Sequence, residues 1–321
     1  MATTGSKNSS RLVIYAALAG NLAIALTKLV AFLLTGSSAM LTEAIHSTVD
    51  TGNQGLLLLG LARAAKPPSD THPFGYGMEL YFWSFVVALM IFALGGAVSI
   101  YQGVHKILEP EPIDRAWINF LVIGLAMLFE GGSFVIAWRE FKTVRRDTPF
   151  FRALKGSKDP SIFAVLLEDG AALAGLAIAA LGVAGTSLLD LPWADGAASV
   201  AIGVLLVLVA VFLANETRSL LTGEAASPRI VEAVRGMLAA DPRVDSVAEV
   251  LSMHLGPQEI LLGVTLDFRD DLTAVDIETA GDDFALRIRA IDSRITRVFV
   301  RSGRTREAYA RSIAAAAVSA S

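Results

Sequence analysis

Glu43, His46, Asp50 and Asn53 fall at spacings of three, four and three, so a helix would put them on one face. A carboxylate and an imidazole one turn apart, separated by about 6 Å along the axis, can hold one cation between them. The stretch that carries them, Ser38 to Ala64, is otherwise apolar and about long enough to cross a bilayer. Ionisable groups at membrane depth are costly, and are usually paired or functional. A second apolar run is interrupted by Glu168 and Asp169. Adjacent residues of a helix point about 100° apart, so one of the pair, read as Asp169, turns toward the His46/Asp50 face. Two carboxylates and an imidazole suit a borderline divalent ion such as Zn²⁺. The metal candidates are therefore His46, Asp50, Asp169 and Glu168. The competing reading makes Glu168 and Asp169 interhelical hydrogen-bond acceptors with no metal.

Other polar residues lie in the same apolar surroundings. Lys28 and Glu43, counted at ~1.5 Å per residue, both lie about 6–9 Å from the outer face and are expected to pair. Glu130 lies about 12 Å from the cytoplasmic face, and Glu168 and Asp169 about 10 Å. Glu130 reads as a proton acceptor, an auxiliary ligand or a support for the ligands, or else as a structural acceptor for Asn21 or Ser133. The small residues Thr51, Gly52, Gly55, Gly170, Ala171, Ala172 and Gly175 are expected to let the two acid-bearing helices approach closely. Asp70 and His72 sit in a turn-rich loop, where Asp70 can cap. His105 is expected to be solvated, and His254 is read as a histidine at a strand edge. Neither His-Glu-x-x-His nor Gly-x-Ser-x-Gly occurs, which argues against a zinc protease or serine hydrolase within the membrane.

These residues need helices to hold them. The chain has 321 residues, 54% of them hydrophobic, and a mean hydropathy of +0.56, too apolar for one soluble domain. A net charge of −4 suggests no nucleic-acid partner, and the absence of cysteine removes disulfides and thiolate metal sites. Six apolar segments stand at 12–34, 38–64, 80–104, 117–138, 161–187 and 193–214. The first is too long, and lacks the processing site, for a cleaved signal peptide. Asp159-Pro160 is a helix start, and Ser38 an N-cap. Lys7, Arg11, Arg63, Lys66 and the basic 139–160 loop fall on one side, against Lys106 and Arg115 on the other. That asymmetry places both termini in the cytoplasm, with the protein in the inner membrane if the cell is a prokaryote.

From Asn215 the composition changes to that of a soluble domain. A helix from Pro228 to Ala240, with Ser227 as its N-cap, is followed by strands at 244–255 and 259–268, a helix at 274–290 and a strand at 295–300. The expected division is a disordered 1–10, a six-helix transmembrane domain at 11–214, a small α+β ferredoxin-like cytoplasmic domain at 215–305, and a disordered 306–321.

Six spans, His46-x-x-x-Asp50, the acid pair, the loop His72-Pro73-Phe74-Gly75-Tyr76-Gly77 and the α+β tail together resemble the cation diffusion facilitator family. The resemblance covers residues 10 to 302. It implies a homodimeric secondary transporter in the lipid bilayer that exchanges cytoplasmic Zn²⁺, or Fe²⁺, Co²⁺ or Mn²⁺, for protons, with no cofactor. His46 and Asp50 match the family's second-helix ligands, and Asp169 its fifth-helix aspartate. Many zinc-transporting members carry a histidine where Val165 stands, leaving the fourth ligand to Glu168, Glu130, Asn53 or water. The Leu-Leu-Glu168-Asp169 form with Glu43-Ala-Ile-His46 is similar to the branch that includes the mitochondrial zinc exporter of animals. Tyr76 replaces the second histidine of the family's loop site, and of the histidine-rich tail site only His254 remains. A non-transporting metal sensor or scaffold is the alternative from another class.

Overall fold

Apolar runs this long cannot leave backbone amides unpaired in lipid, and they become helices. The structure, a computed structural model, describes residues 3–35, 38–110, 116–145, 149 and 157–304, except for the side chains of 3–12, 31–32, 34–35, 38–46, 116 and 143–145. The chain divides into two units, one of Met1–Pro68 with Met78–Leu221, the other of Ser69–Gly77 with Thr222–Ser321.

The first unit holds helices α1 (Thr3–Thr35), α2 (Ser38–Ala64), α3 (Glu79–Leu108), α4 (Ala116–Arg145), α5 (Pro160–Leu188) and α6 (Ala194–Leu221). Five stretches, in α1, α3, α4, α5 and α6, are long and apolar enough to cross a membrane among the described residues. The helix α6 runs on to Leu221, beyond the apolar segment that ends at 214. Asp159 caps α5 by accepting from the Ser161 amide at 3.1 Å, with Pro160 in the first turn where its missing N–H costs nothing.

The close approach of backbones lies elsewhere than expected. A methyl group added to Gly52 or Gly55 would meet nothing within 4 Å. The tight seam joins α3 to α6 instead. A methyl on Gly103 would lie 2.7 Å from the Gly196 carbonyl oxygen, and one on Gly203 would lie 2.8 Å from that of Gly96. Within α3 the stretch Ile91–Ala97, containing Gly95 and Gly96, is wound as a π-helix, a local loosening that periodicity cannot reveal. The helix α2 packs on α1 and α3, while α5 packs on α4 and α6. Side chains rather than glycines span the gap between α2 and α5, as described below.

The second unit is built from helix α7 (Pro228–Ala239), strands β1 (Val244–Gly256) and β2 (Glu259–Phe268), helix α8 (Ala274–Ile291) and strand β3 (Ile295–Ser302). The sheet order is β1-β2-β3, antiparallel between β1 and β2 and parallel between β2 and β3. Alternate residues of β2, namely Ile260, Leu262, Val264 and Leu266, are buried, the period-two pattern of a strand with one covered face. Ile230, Val234 and Leu238 of α7, and Ala280, Phe284 and Ile288 of α8, are buried at spacings of four, which places each set on one helical stripe. Ser227 precedes α7 but its side chain makes no capping bond. Thr273 does cap α8, in a reciprocal box with Asp276. The 69–77 loop belongs to this unit: Arg297 donates to the Pro73 carbonyl at 3.2 Å and lies 5.4 Å from the Phe74 ring.

Candidate metal centre

The α2 backbone carries Glu43, His46, Asp50, Asn53 and Gln54 in that order, with α5 supplying Glu168 and Asp169 and α4 supplying Glu130 and Ser133. The side chains of Glu43 and His46 lie outside the described residues. Asp50, Glu130, Glu168 and Asp169 come together: Glu168 stands within Coulombic reach of the other three acids, and Glu130 within reach of Asp50, Asp169 and Lys28. Glu130, Glu168 and Asp169 are all buried.

Neutral donors hold these carboxylates. Ser133 Oγ donates to Asp169 Oδ2 at 2.5 Å. Asn53 Nδ2 donates to Glu168 Oε1 at 3.2 Å, and Gln54 Nε2 to Glu168 Oε2 at 2.9 Å. Both oxygens of Glu168 are thus clasped from α2, so the carboxylate ties α2 to α5 at the length of two side chains. That reach fits the open space beside Gly52 and Gly55, whereas Gly60, further along α2, is pressed against Trp83 of α3. Asp169 Oδ1, Asn53 Oδ1 and Gln54 Oε1 are buried and have no hydrogen-bond partner among the described residues. Buried acceptors without donors are rare in folded proteins and call for an ion, a water or a functional reason. Three such oxygens beside four acids make a set of hard donors suited to a cation.

The flanking polar groups are engaged as follows. Lys28 Nζ donates to Ser47 Oγ at 3.0 Å, and its proposed mate Glu43 lies outside the described side chains. Ser133 binds Asp169, and so is not spent on Glu130. Gln54 and Ser47 were given no role from sequence. Their signal was available: each is a polar residue within an apolar span, the same signal that singled out Asn53.

Of the remaining histidines and loop acids, Asp70, His72 and His254 belong to the second unit and His105 to α3. Asp70 is exposed. The His72 ring stacks on Tyr76 with centroids 4.3 Å apart, and its Nδ1 lies 3.1 Å from Thr71 Oγ1. His105 is exposed, 3.6 Å from Glu109. His254 is buried rather than at an open edge, with its amide donating to the Glu224 carbonyl at 2.9 Å. Among the described residues no three His, Cys, Asp or Glu side chains converge as a preformed metal cage.

Long apolar helices closed over buried acids define a multi-pass membrane protein with a polar interior. The model of the cation efflux transmembrane domain matches residues 14–222, and the chain belongs to that family, the cation diffusion facilitators. Among its relatives, the human "Proton-coupled zinc antiporter SLC30A9, mitochondrial" is 33% identical over 243 residues, which is 75% of this chain and 43% of that one. "Metal tolerance protein C4" of Arabidopsis thaliana is 32% identical over 240 residues, 74% of this chain and 52% of that one. "Magnetosome protein MamM" of Magnetospirillum gryphiswaldense is 26% identical over 273 residues, 82% and 80% of the two chains. The chain thus aligns with about half the length of the first two relatives.

Proposed function

We propose that this protein is a metal/proton antiporter that carries a divalent transition-metal cation, Zn²⁺ by preference, out of the cytoplasm. The observation that supports this most directly is the pairing of Asp169 Oδ1, buried and without a donor among the described residues, with acids that accept from neutral groups. Such a centre carries negative charge that a dication offsets. In this reading Asp50, Asp169 and His46 bind the ion, and Glu168 sets the distance between α2 and α5 while lending its charge. Glu130 lies on the route by which metal or protons reach the centre. The match to relatives named as zinc antiporters supports both the ion and the coupling. The rest of the reading has α2 as the sixth span, both termini in the cytoplasm, a C-terminal unit of the ferredoxin-like kind, and a homodimer.

Coupling follows from ligand chemistry. Carboxylates and imidazole bind metal only when deprotonated, so protons and metal compete for the same atoms. Histidine titrates in the range where this competition is useful. A second cargo class, Mn²⁺, Fe²⁺ or Co²⁺, is favoured by one observation: the described donors around the cluster are oxygens. The decisive experiment is uptake into sealed proteoliposomes under an imposed pH gradient, with a panel of these ions. Zn²⁺ flux that follows the gradient, and falls at least about 100-fold in Asp169→Asn, is expected. Flux indifferent to the gradient rejects antiport, and undiminished flux in Asp169→Asn rejects the site.

A further inference from the structure

Among the described residues of the membrane unit, the metal reading uses the buried acids but leaves a buried base unexplained. Lys28 is 7% exposed, and among the described residues of this unit no other lysine or arginine is buried. Its helix, α1, packs on α2 and α4 and also touches α5, which are the three helices that carry the acids. The ammonium donates to Ser47 Oγ at 3.0 Å, on the residue that follows His46. It also lies within Coulombic reach of Glu130. Packing alone does not call for a lysine here, because a buried ammonium carries a desolvation cost that an apolar residue of the same length avoids.

We propose that Lys28 is a built-in counter-cation of the metal centre: its ammonium offsets part of the acids' charge when no metal is bound. The inference rests on the metal reading above. Four acids within Coulombic reach of one another in a poorly polarisable interior repel, and a positive charge or a proton nearby relieves that repulsion. A fixed ammonium supplies one such charge in every state of the carrier. It does so from α1, where one of its hydrogen bonds goes to the Ser47 hydroxyl. Two opposing effects follow. The ammonium repels an incoming dication and weakens its binding. It also stabilises the metal-free centre, and with it the step in which the empty carrier reorients. Lysine suits this better than arginine would, since its compact charge sits on a flexible stem and makes no bidentate clasp on a carboxylate.

The inference predicts a split between affinity and turnover that a merely structural lysine would not give. Lys28→Gln in the full-length purified protein should bind Zn²⁺ about tenfold more tightly in calorimetric titration at fixed pH. The same variant in proteoliposomes should turn over about tenfold more slowly, with KM lowered alongside kcat. Lys28→Arg keeps the charge and should stay within about threefold of the parent in affinity. If the glutamine variant does not survive purification, Lys28→Met, neutral and of similar stem length, reads the same quantities. Unchanged or weaker Zn²⁺ binding in the neutral variants overturns the proposal, as does unchanged turnover. Asp50→Asn separates the two levels of the argument. Loss of Zn²⁺ binding there, with no effect at Lys28, leaves the metal site standing and removes only the counter-cation. Full binding in Asp50→Asn removes the site itself.

Discussion

Among the described residues, a set of acids in each unit can be compared, and the two sets are held in different ways. In the C-terminal unit Asp241 and Asp283 face Arg243 and Arg287. Arg243 binds Asp241 through both a 2.8 Å and a 3.0 Å bond, and reaches Asp283 at 2.5 Å. Arg287 closes the set with a 2.6 Å bond to Asp241. Both guanidinium groups also lie over the Phe284 ring, at 4.7 and 5.7 Å, a stacking that arginine favours. Acid and base balance there, two against two. In the membrane unit Asp169 and Glu168 receive a serine hydroxyl and two amides. Hydrogen bonds from neutral donors orient a carboxylate without cancelling its charge. The first arrangement builds a fold; the second leaves room for an ion.

The comparison breaks most visibly if the two clusters respond alike to losing an acid. Asp241→Asn strips charge from a mostly buried carboxylate that two arginines grip, and should destabilise the C-terminal unit by about 2 kcal/mol. Asp169→Asn removes a charge that its neighbours repel, so the metal-free protein should be as stable as the parent or more so. Hydrogen exchange of β2 amides measures the first effect in the full-length protein, and thermal unfolding in detergent the second. Destabilisation by Asp169→Asn in the absence of metal would show that its carboxylate serves the fold.

Glu168 sharpens the comparison, because it belongs to both descriptions. Its two oxygens each accept an amide proton from α2. In Glu168→Gln one side-chain position becomes a donor facing another donor. One of the two amides must turn or let go, and the α2–α5 spacing loosens. Transport is expected to fall about tenfold, and the aspartate-asparagine pattern at Asp169 predicts a larger loss. Glu168→Ala should lose more than Glu168→Gln if the clasp matters, and equally much if only the charge does.

Much of the membrane unit was legible because lipid punishes polar residues, so each one found in an apolar run carried information. That signal picked out Asp50, Asn53, Glu130, Glu168 and Asp169, which the fold brings together. It failed where two polar residues compete for one partner: Ser133 could have served Glu130 or Asp169, and only geometry decides. It also failed for helix seams. Gly52 and Gly55 have the composition of a close contact, as do Gly96, Gly103, Gly196 and Gly203, yet only the second group makes one. Composition marks where helices can touch, while the choice of neighbour depends on what else spans the gap, here the Asn53–Gln54–Glu168 clasp. In the C-terminal unit the strand and helix order was readable from period and turns. The arginine–aspartate cluster was not, because Asp241 and Asp283 are far apart in sequence and look like solvated surface charges.

The smallest expected effect concerns pH and the arginine-held cluster. The Arg243 guanidinium, with help from Arg287, holds the Asp241 carboxyl well below the usual carboxylate range, and Asp283 is lowered for the same reason. An acid whose pKa is depressed on folding contributes stability above its unfolded value of about 3.9, and loses it as pH falls toward the folded value. Exchange protection of β2, corrected for the intrinsic rate, should therefore be flat from pH 8 to about 5 and decline only below about 4. A loss of protection between pH 7 and 5 would mean that a histidine, His254 being the buried one of this unit, governs its stability instead. Metal carriage, by contrast, is expected to change over that same interval, because its ligands compete with protons there. Flux that changes while β2 protection stays flat separates the acids that hold structure from those that hold cargo.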